Sequence, residues 1–132
     1  MKKSLGFTTL ALALSVFTMQ SSQAAFKQNN YVCEELHMED SVDCADKAVA
    51  AEKKRLNQTY KKIHNKLSTA QKKQLDSEQL AWLKKRNAKC DNSDDSAPMN
   101  NMVVYQMIAD NLCTANETQN RTKFLMNKYK VK

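Results

Sequence analysis

The sequence predicts an all-α fold: a small antiparallel bundle of three main helices plus a short N-terminal helical piece, stapled by two disulfides. Three observations carry this. Gly6 is the only glycine and Pro98 the only proline in 132 residues, so tight hairpins and phosphate-cradling glycine loops, which need positive-φ positions, have no supply. Apolar residues recur at steps of three and four through the second half of the chain, the helical period. Four cysteines in a short chain with an export signal form an even set, expected as two disulfides.

The first element is the signal. Lys2 and Lys3 precede an apolar run from Leu5 to Phe17 and then Ser21-Ser22-Gln23-Ala24, the order of a secretory signal peptide cleaved after Ala24. The run falls short of the roughly 20 residues that a membrane-spanning helix needs. No cysteine stands at the new N-terminus to carry a lipid. The expectation is a signal peptide over 1–24 and one soluble domain over 25–132. Lys2 and Lys3 are the only charges removed, which leaves 19 basic and 14 acidic residues, a net charge of +5.

Charge is segregated along that domain. Gln28 to Asp46 holds six acids and no Lys or Arg, and Cys33 and Cys44 bracket most of it; this is the short helical piece. Lys47 to Lys89 holds 13 bases and three acids, Glu52, Asp76 and Glu78. Cys90 to Asn120 is acidic again, and five bases follow from Arg121 onward.

Helix one follows from Ala45, Val49, Leu56, Tyr60, Ile63 and Leu67, which stack on one face, while Lys53, Lys54, Lys61, Lys62 and Lys66 fall largely off it. Ser68 and Thr69 break the pattern and offer an N-cap. Helix two then runs to Cys90, with Leu75, Gln79, Trp82 and Arg86 in register and Leu80 and Leu83 widening the stripe. The short connection makes the two helices antiparallel neighbours. A polar loop, Asp91 to Asn101, leads to Met102–Ile108, which periodicity leaves open between helix and strand. Thr114-Ala115-Asn116-Glu117 reads as a capping box that starts a third helix, burying Leu125, Tyr129 and Phe124 up to about Tyr129.

Gln79, Trp82, Arg86 and Cys90 share one helix face. Trp82 as a core anchor with Arg86 stacked on it is favoured over an exposed aromatic–arginine contact point for a partner. That face, with Asp46, Leu56-Asn57-x-x-Tyr60, Tyr105, Cys113, Thr118, Arg121 and Leu125, resembles the LprI-like family of bacterial lysozyme inhibitors over about Cys33 to Leu125. The resemblance implies an exported, disulfide-stapled, all-α domain that binds and inhibits lysozyme. Of the three possible pairings, it implies Cys33 with Cys44 and Cys90 with Cys113.

Electrostatics suggests where such a partner sits. Many animal lysozymes are cationic, so the net charge opposes approach at long range, yet an antiparallel hairpin gathers the acidic segments at one pole. Glu34, Glu35, Glu39, Asp40, Asp43, Asp91, Asp94 and Asp95 are the expected partner-binding residues, facing a basic muramidase in the periplasm or outside the cell. The alternative is a cationic module whose bases engage anionic envelope polymers, lipid headgroups or nucleic acid. Nucleic acid fits poorly, because Tyr60 and Trp82 sit on the buried stripe and leave bases little to stack on. Catalysis has thin support. His37 and His64 lie far apart, the Glu34–His37–Asp40 spacing is a weak metal pattern, and disulfide-bound cysteines are not nucleophiles. No enzyme activity, cofactor or metal is expected.

Overall fold

A computed structural model describes residues 27–28, 31–33, 37–94 and 96–132. The expected signal peptide therefore lies outside the described residues. Two two-residue strands, β1 (Lys27–Gln28) and β2 (Tyr31–Val32), pair antiparallel with Lys27 opposite Val32. Three helices follow: α1 (Met38–His64), α2 (Thr69–Cys90) and α3 (Asn101–Tyr129). Cys33 is bonded to Cys44 and Cys90 to Cys113.

The short N-terminal piece is not a separate helix. From Met38 onward it is continuous with α1, whose first turn carries Glu39 and Asp40 where negative charge meets the positive end of the helix dipole. The last turn carries Lys61, Lys62 and His64 at the opposite end. At the α1–α2 corner the Ser68 hydroxyl accepts from the Gln71 N–H at 3.4 Å, and the Gln71 side chain accepts from the Ser68 N–H at 3.0 Å. This reciprocal capping box starts α2 where the sequence places it.

The third helix starts earlier than Thr114. Met102–Ile108 is helical and joins the rest in one 29-residue helix, capped by the Asn100 side chain on the Val103 N–H at 3.1 Å. Thr114 is an interior residue whose carbonyl accepts from the Thr118 hydroxyl at 2.6 Å. No glycine or proline interrupts Ala109 to Cys113, and Ile108, Leu112 and Ala115 keep one buried face running through the supposed boundary. Burial outweighs the local capping signal. At the other end Lys130 takes the left-handed conformation (φ 52°), and both it and Val131 donate to the Met126 carbonyl. The turn folds Val131 back into the core, against a cost of roughly 1–2 kcal/mol for a non-glycine residue in that region.

Pairing contacts set the topology. Asn111 donates to Asp46, Gln119 to Glu52, and Lys62 to the Lys132 carbonyl, so α1 and α3 run parallel. Lys89 meets Glu117, Arg121 meets Gln79, and Lys128 meets Glu78, so α2 runs antiparallel to α3. Backbone approach is closest between α1 and α3, while α2 stands off α1. Two apolar clusters result. One gathers Leu56, Ile63, Leu75, Leu125 and Val131, and the other Cys33, Ala45, Ile108 and Leu112.

Two expected core residues are solvent-facing instead. Leu80 is 57% exposed and Phe124 is 50% exposed. α2 buries only Leu75 and Cys90, because α1 gives its apolar face to α3 and leaves α2 no second wall. Phe124 keeps contact with Arg121 and Lys128 over its ring rather than with the core.

A helix with so thin an apolar seam depends on its covalent tie. The Cys90–Cys113 bond closes a loop of sequence separation 23, worth about 3 kcal/mol in the chain-entropy treatment. Replacing both cysteines by serine should lower stability by about that amount, read from urea midpoints by circular dichroism. An unchanged midpoint would show that α2 is held by its side chains alone.

Candidate functional site

The acidic end is built around Asp110 on α3. Its Oδ2 accepts from the Asn92 N–H at 3.0 Å, the Ser93 N–H at 2.8 Å and the Ser93 hydroxyl at 2.6 Å. Its Oδ1 accepts from Gln106 Nε2 at 2.8 Å and Asn92 Nδ2 at 3.3 Å. Burial alone would raise this carboxyl, but the bonds from Ser93, Gln106 and Asn92 outweigh it and hold it below the ordinary aspartate value. The loop after Cys90 is thereby pinned to α3. One residue on, Asn111 donates to Asp46 on α1 at 2.6 Å. The start of α1 and the loop after α2 consequently lie at the same end of the bundle.

Of the expected partner-binding residues, Glu39, Asp40, Asp43, Asp91 and Asp94 are exposed at that end. Asp43 pairs with Lys47 one turn on. Asp94 accepts from the Ser96 hydroxyl at 2.6 Å and the Ser96 N–H at 2.9 Å, bonds that keep its carboxyl below the ordinary value. Glu34, Glu35 and Asp95 lie outside the described residues. Met99 and Met102, 71% and 74% exposed, flank the α3 N-terminus beside the same loop. Sequence reasoning passed over Met99 and took Met102 only as the start of an apolar run, although two methionines three apart at the end of a polar loop are a signal for an adaptable contact surface.

A second feature lies between α1 and α2. Lys53, Leu56, Asn57 and Tyr60 from α1 face Gln79, Leu83 and Arg86 from α2 across a groove of about 430 Å³. The Tyr60 hydroxyl donates to Asp76, and its ring stacks on His64 at 5.7 Å. Burial and the Asp76 carboxylate push the Tyr60 hydroxyl up to about 12. Beside the groove, Trp82 is half-buried against the apolar cluster. The Arg86 guanidinium sits 5.2 Å from its ring centroid and Arg121 sits 5.7 Å away. Arg121 Nε also donates to Gln79 Oε1 at 3.0 Å.

A family model described as lysozyme inhibitor LprI matches residues 33–125. The chain belongs to the LprI lysozyme inhibitor family. LprI proteins are inhibitors of lysozyme, a role of binding rather than catalysis. No curated protein and no solved structure matches the chain. The disulfide pairing that the LprI resemblance implies is the one present.

The LprI resemblance residues divide by location. Leu56, Asn57, Tyr60, Gln79 and Arg86 converge on the groove, and Trp82 and Arg121 adjoin it. Thr118 and Leu125 are buried. Trp82 packs half-buried against the apolar cluster with Arg86 over its ring, and Arg121 adds a second cation that spacing did not disclose. Among the described residues no group of His, Cys, Asp and Glu could hold a metal ion, and no helix is long and apolar enough to cross a membrane.

One polar cluster of this LprI domain escaped the sequence reading. Glu52 is 1% exposed. Its Oε1 accepts from the Tyr31 hydroxyl, from Arg55 and from Gln119 Nε2 at 3.3 Å. Burial and Glu52 together push the Tyr31 hydroxyl up to about 12. The signal was present: Glu52 falls between Val49 and Leu56 on the apolar stripe, where a carboxylate is buried only with partners.

Because the folded Asp110 carboxyl lies below its unfolded value of about 3.9, its stabilisation is present above that pH and fades as pH falls through the folded value. Asp110→Ala should cost about 1–3 kcal/mol at pH 7, since several donors lose their acceptor. It should also show a shallower loss of stability than the parent between pH 5 and pH 2. Urea titrations of both proteins across that range check the two effects.

Proposed function

We propose that the protein is exported, with a signal peptide cleaved after Ala24, and inhibits a lysozyme-type muramidase by stoichiometric binding through its acidic end. The observation that carries this reading is the LprI match across 33–125, which spans both disulfides and both acidic segments. The periplasm or the cell exterior is where such disulfides persist and where the enzyme acts.

The electrostatics fit a contact that is local rather than long-range. A formal net charge of +5 on the domain after cleavage, 19 basic against 14 acidic residues, repels a cationic enzyme at a distance. Repulsion between exposed charges is screened beyond a Debye length of about 8–10 Å at physiological salt. Inside that range the partner meets Glu39, Asp40, Asp91 and Asp94, where the nearby bases Lys47 and Lys89 are already paired with Asp43 and Glu117. A carboxylate entering a cleft that binds sugar chains competes with substrate for its hydrogen-bond donors. Met99 and Met102 supply apolar area next to those charges, the pairing that protein interfaces favour.

The test is a titration of purified protein against several lysozymes, read as protection from cell-wall lysis. The triple reversal Glu39→Lys, Asp40→Lys and Asp94→Lys should weaken inhibition at least about tenfold, since like charges across an interface cost several kcal/mol. Its helical circular dichroism should persist. Full inhibition by that variant would remove the acidic end from the mechanism. No inhibition of any lysozyme by the parent protein would overturn the functional reading.

A further inference from the structure

We propose that the groove between α1 and α2 is a binding site for a small acidic saccharide, separate from the acidic end. Its two walls each carry a cation, Lys53 on α1 and Arg86 on α2. Neither is paired with a carboxylate among the described residues. Arg86 Nε and Nη2 both donate to the neutral Asn87 Oδ1, at 3.1 and 2.7 Å, and its guanidinium is partly stripped of water against Trp82. Two like charges on facing walls repel each other until an anion sits between them. A carboxylate is the group that a guanidinium and an ammonium can share.

The remaining lining narrows the ligand. Asn57 and Gln79 contribute amides. Gln79 uses its Oε1 on Arg121, which leaves its Nε2 as a donor, and Asn57 makes no side-chain hydrogen bond among the described residues. Leu56, Leu83 and the face of Tyr60 supply flat apolar surface. Tyr60 cannot swing away, because its hydroxyl is held by Asp76 and its ring lies on His64. An apolar wall with a few convergent polar groups is the make-up of a small-molecule site, and about 430 Å³ falls in the usual size range of roughly 300–1,000 Å³. A hydroxylated ring with an apolar face, a polar edge and one carboxylate matches each of these elements.

The groove is open because of how the helices are packed. α1 turns its apolar face to α3, and α2 is tied down by Cys90 and by polar contacts to α3. Among the described residues no hydrogen bond or ion pair joins α2 to α1 between Lys53 and Asn57, and the Tyr60 bond to Asp76 ties the two helices nearer their connection. The groove lies about four to six helical turns along α1 from Glu39 and Asp40, so both surfaces can be occupied at once.

Trp82 is the only tryptophan and lies under Arg86, so its fluorescence reports on the groove. Glucuronic acid and N-acetylmuramic acid serve as probes, with glucose and N-acetylglucosamine as their uncharged counterparts and acetate as the bare anion. At least one acidic sugar should give a saturable fluorescence change, confirmed by calorimetry, with its neutral counterpart binding about tenfold more weakly or worse. Arg86→Gln and Lys53→Gln should each weaken the acidic sugar about tenfold. Lys53 is exposed, so the second variant keeps the fold even if the first does not. The proposal is overturned by no saturable change with either acid, by equal binding of the neutral sugars, by acetate binding as tightly, or by Lys53→Gln binding undiminished.

Discussion

The Cys90–Cys113 bond is the constraint on which the arrangement of this LprI domain depends. α2 is 22 residues long and buries only Leu75 and Cys90, too little apolar area to hold a helix against its neighbours at about 25 cal/mol per Å². One end is fixed by the Ser68–Gln71 capping box and the other by the disulfide. Between them the helix is steered by polar pairs to α3: Glu78 with Lys128, Gln79 with Arg121, Lys89 with Glu117. Exposed pairs of this kind contribute little stability, with a median of about 0–1 kcal/mol, but they choose the rotation of α2. That rotation sends Leu80 outward and points Gln79, Leu83 and Arg86 at α1.

The rest of the stability comes from the parallel α1–α3 pair, which has two apolar clusters with a polar layer between them. Glu52 is the centre of that layer. A buried carboxylate costs several kcal/mol unless it is paired and hydrogen-bonded, and here Arg55, the Tyr31 hydroxyl and Gln119 converge on one of its oxygens. Tyr31 comes from β2, so the same carboxylate fastens the N-terminal strand pair to the helices. Cys33–Cys44 fastens it a second time from the other side. Polar specificity at Glu52 sets the register of α1 on α3, and the apolar clusters on either side supply the area.

Much of this was legible in the sequence because helical period and cysteine count are local or countable signals. Ala45, Leu56 and Ile63 are buried at the expected steps, and Ser68 caps where the pattern breaks. What was not legible depended on which faces meet in space. Thr114-x-x-Glu117 is a good capping box, yet burial of Leu112 and Ala115 carries the helix through it. Leu80 and Phe124 fall on apolar stripes by periodicity, which does not say how wide a strip of each helix is covered, and both face solvent. Most of the groove's lining was named in the sequence as the Leu56-Asn57-x-x-Tyr60 and Gln79…Arg86 motifs, but not the space between them, which is left when α1 packs on α3 rather than on α2. The acidic end was legible in part. The charge pattern shows the carboxylates, but the pinning of the loop by Asp110 is a contact of sequence separation 17 and 18.

The same geometry explains why acidic and basic surfaces coexist on so small a domain. Because α1 and α3 run parallel, both present their N-termini, the positive dipole ends, at the end where Glu39 and Asp40 sit. Carboxylates there are stabilised by the helices that carry them, whatever they bind. Lys61, Lys62 and Lys128 gather correspondingly in the last turns of α1 and α3. The acidic end and the cationic groove are therefore not two independent decorations. The crosslink that anchors the loop beside Asp110 also holds the C-terminal end of α2, and with it Arg86, opposite Lys53. One covalent tie thus underlies both surfaces.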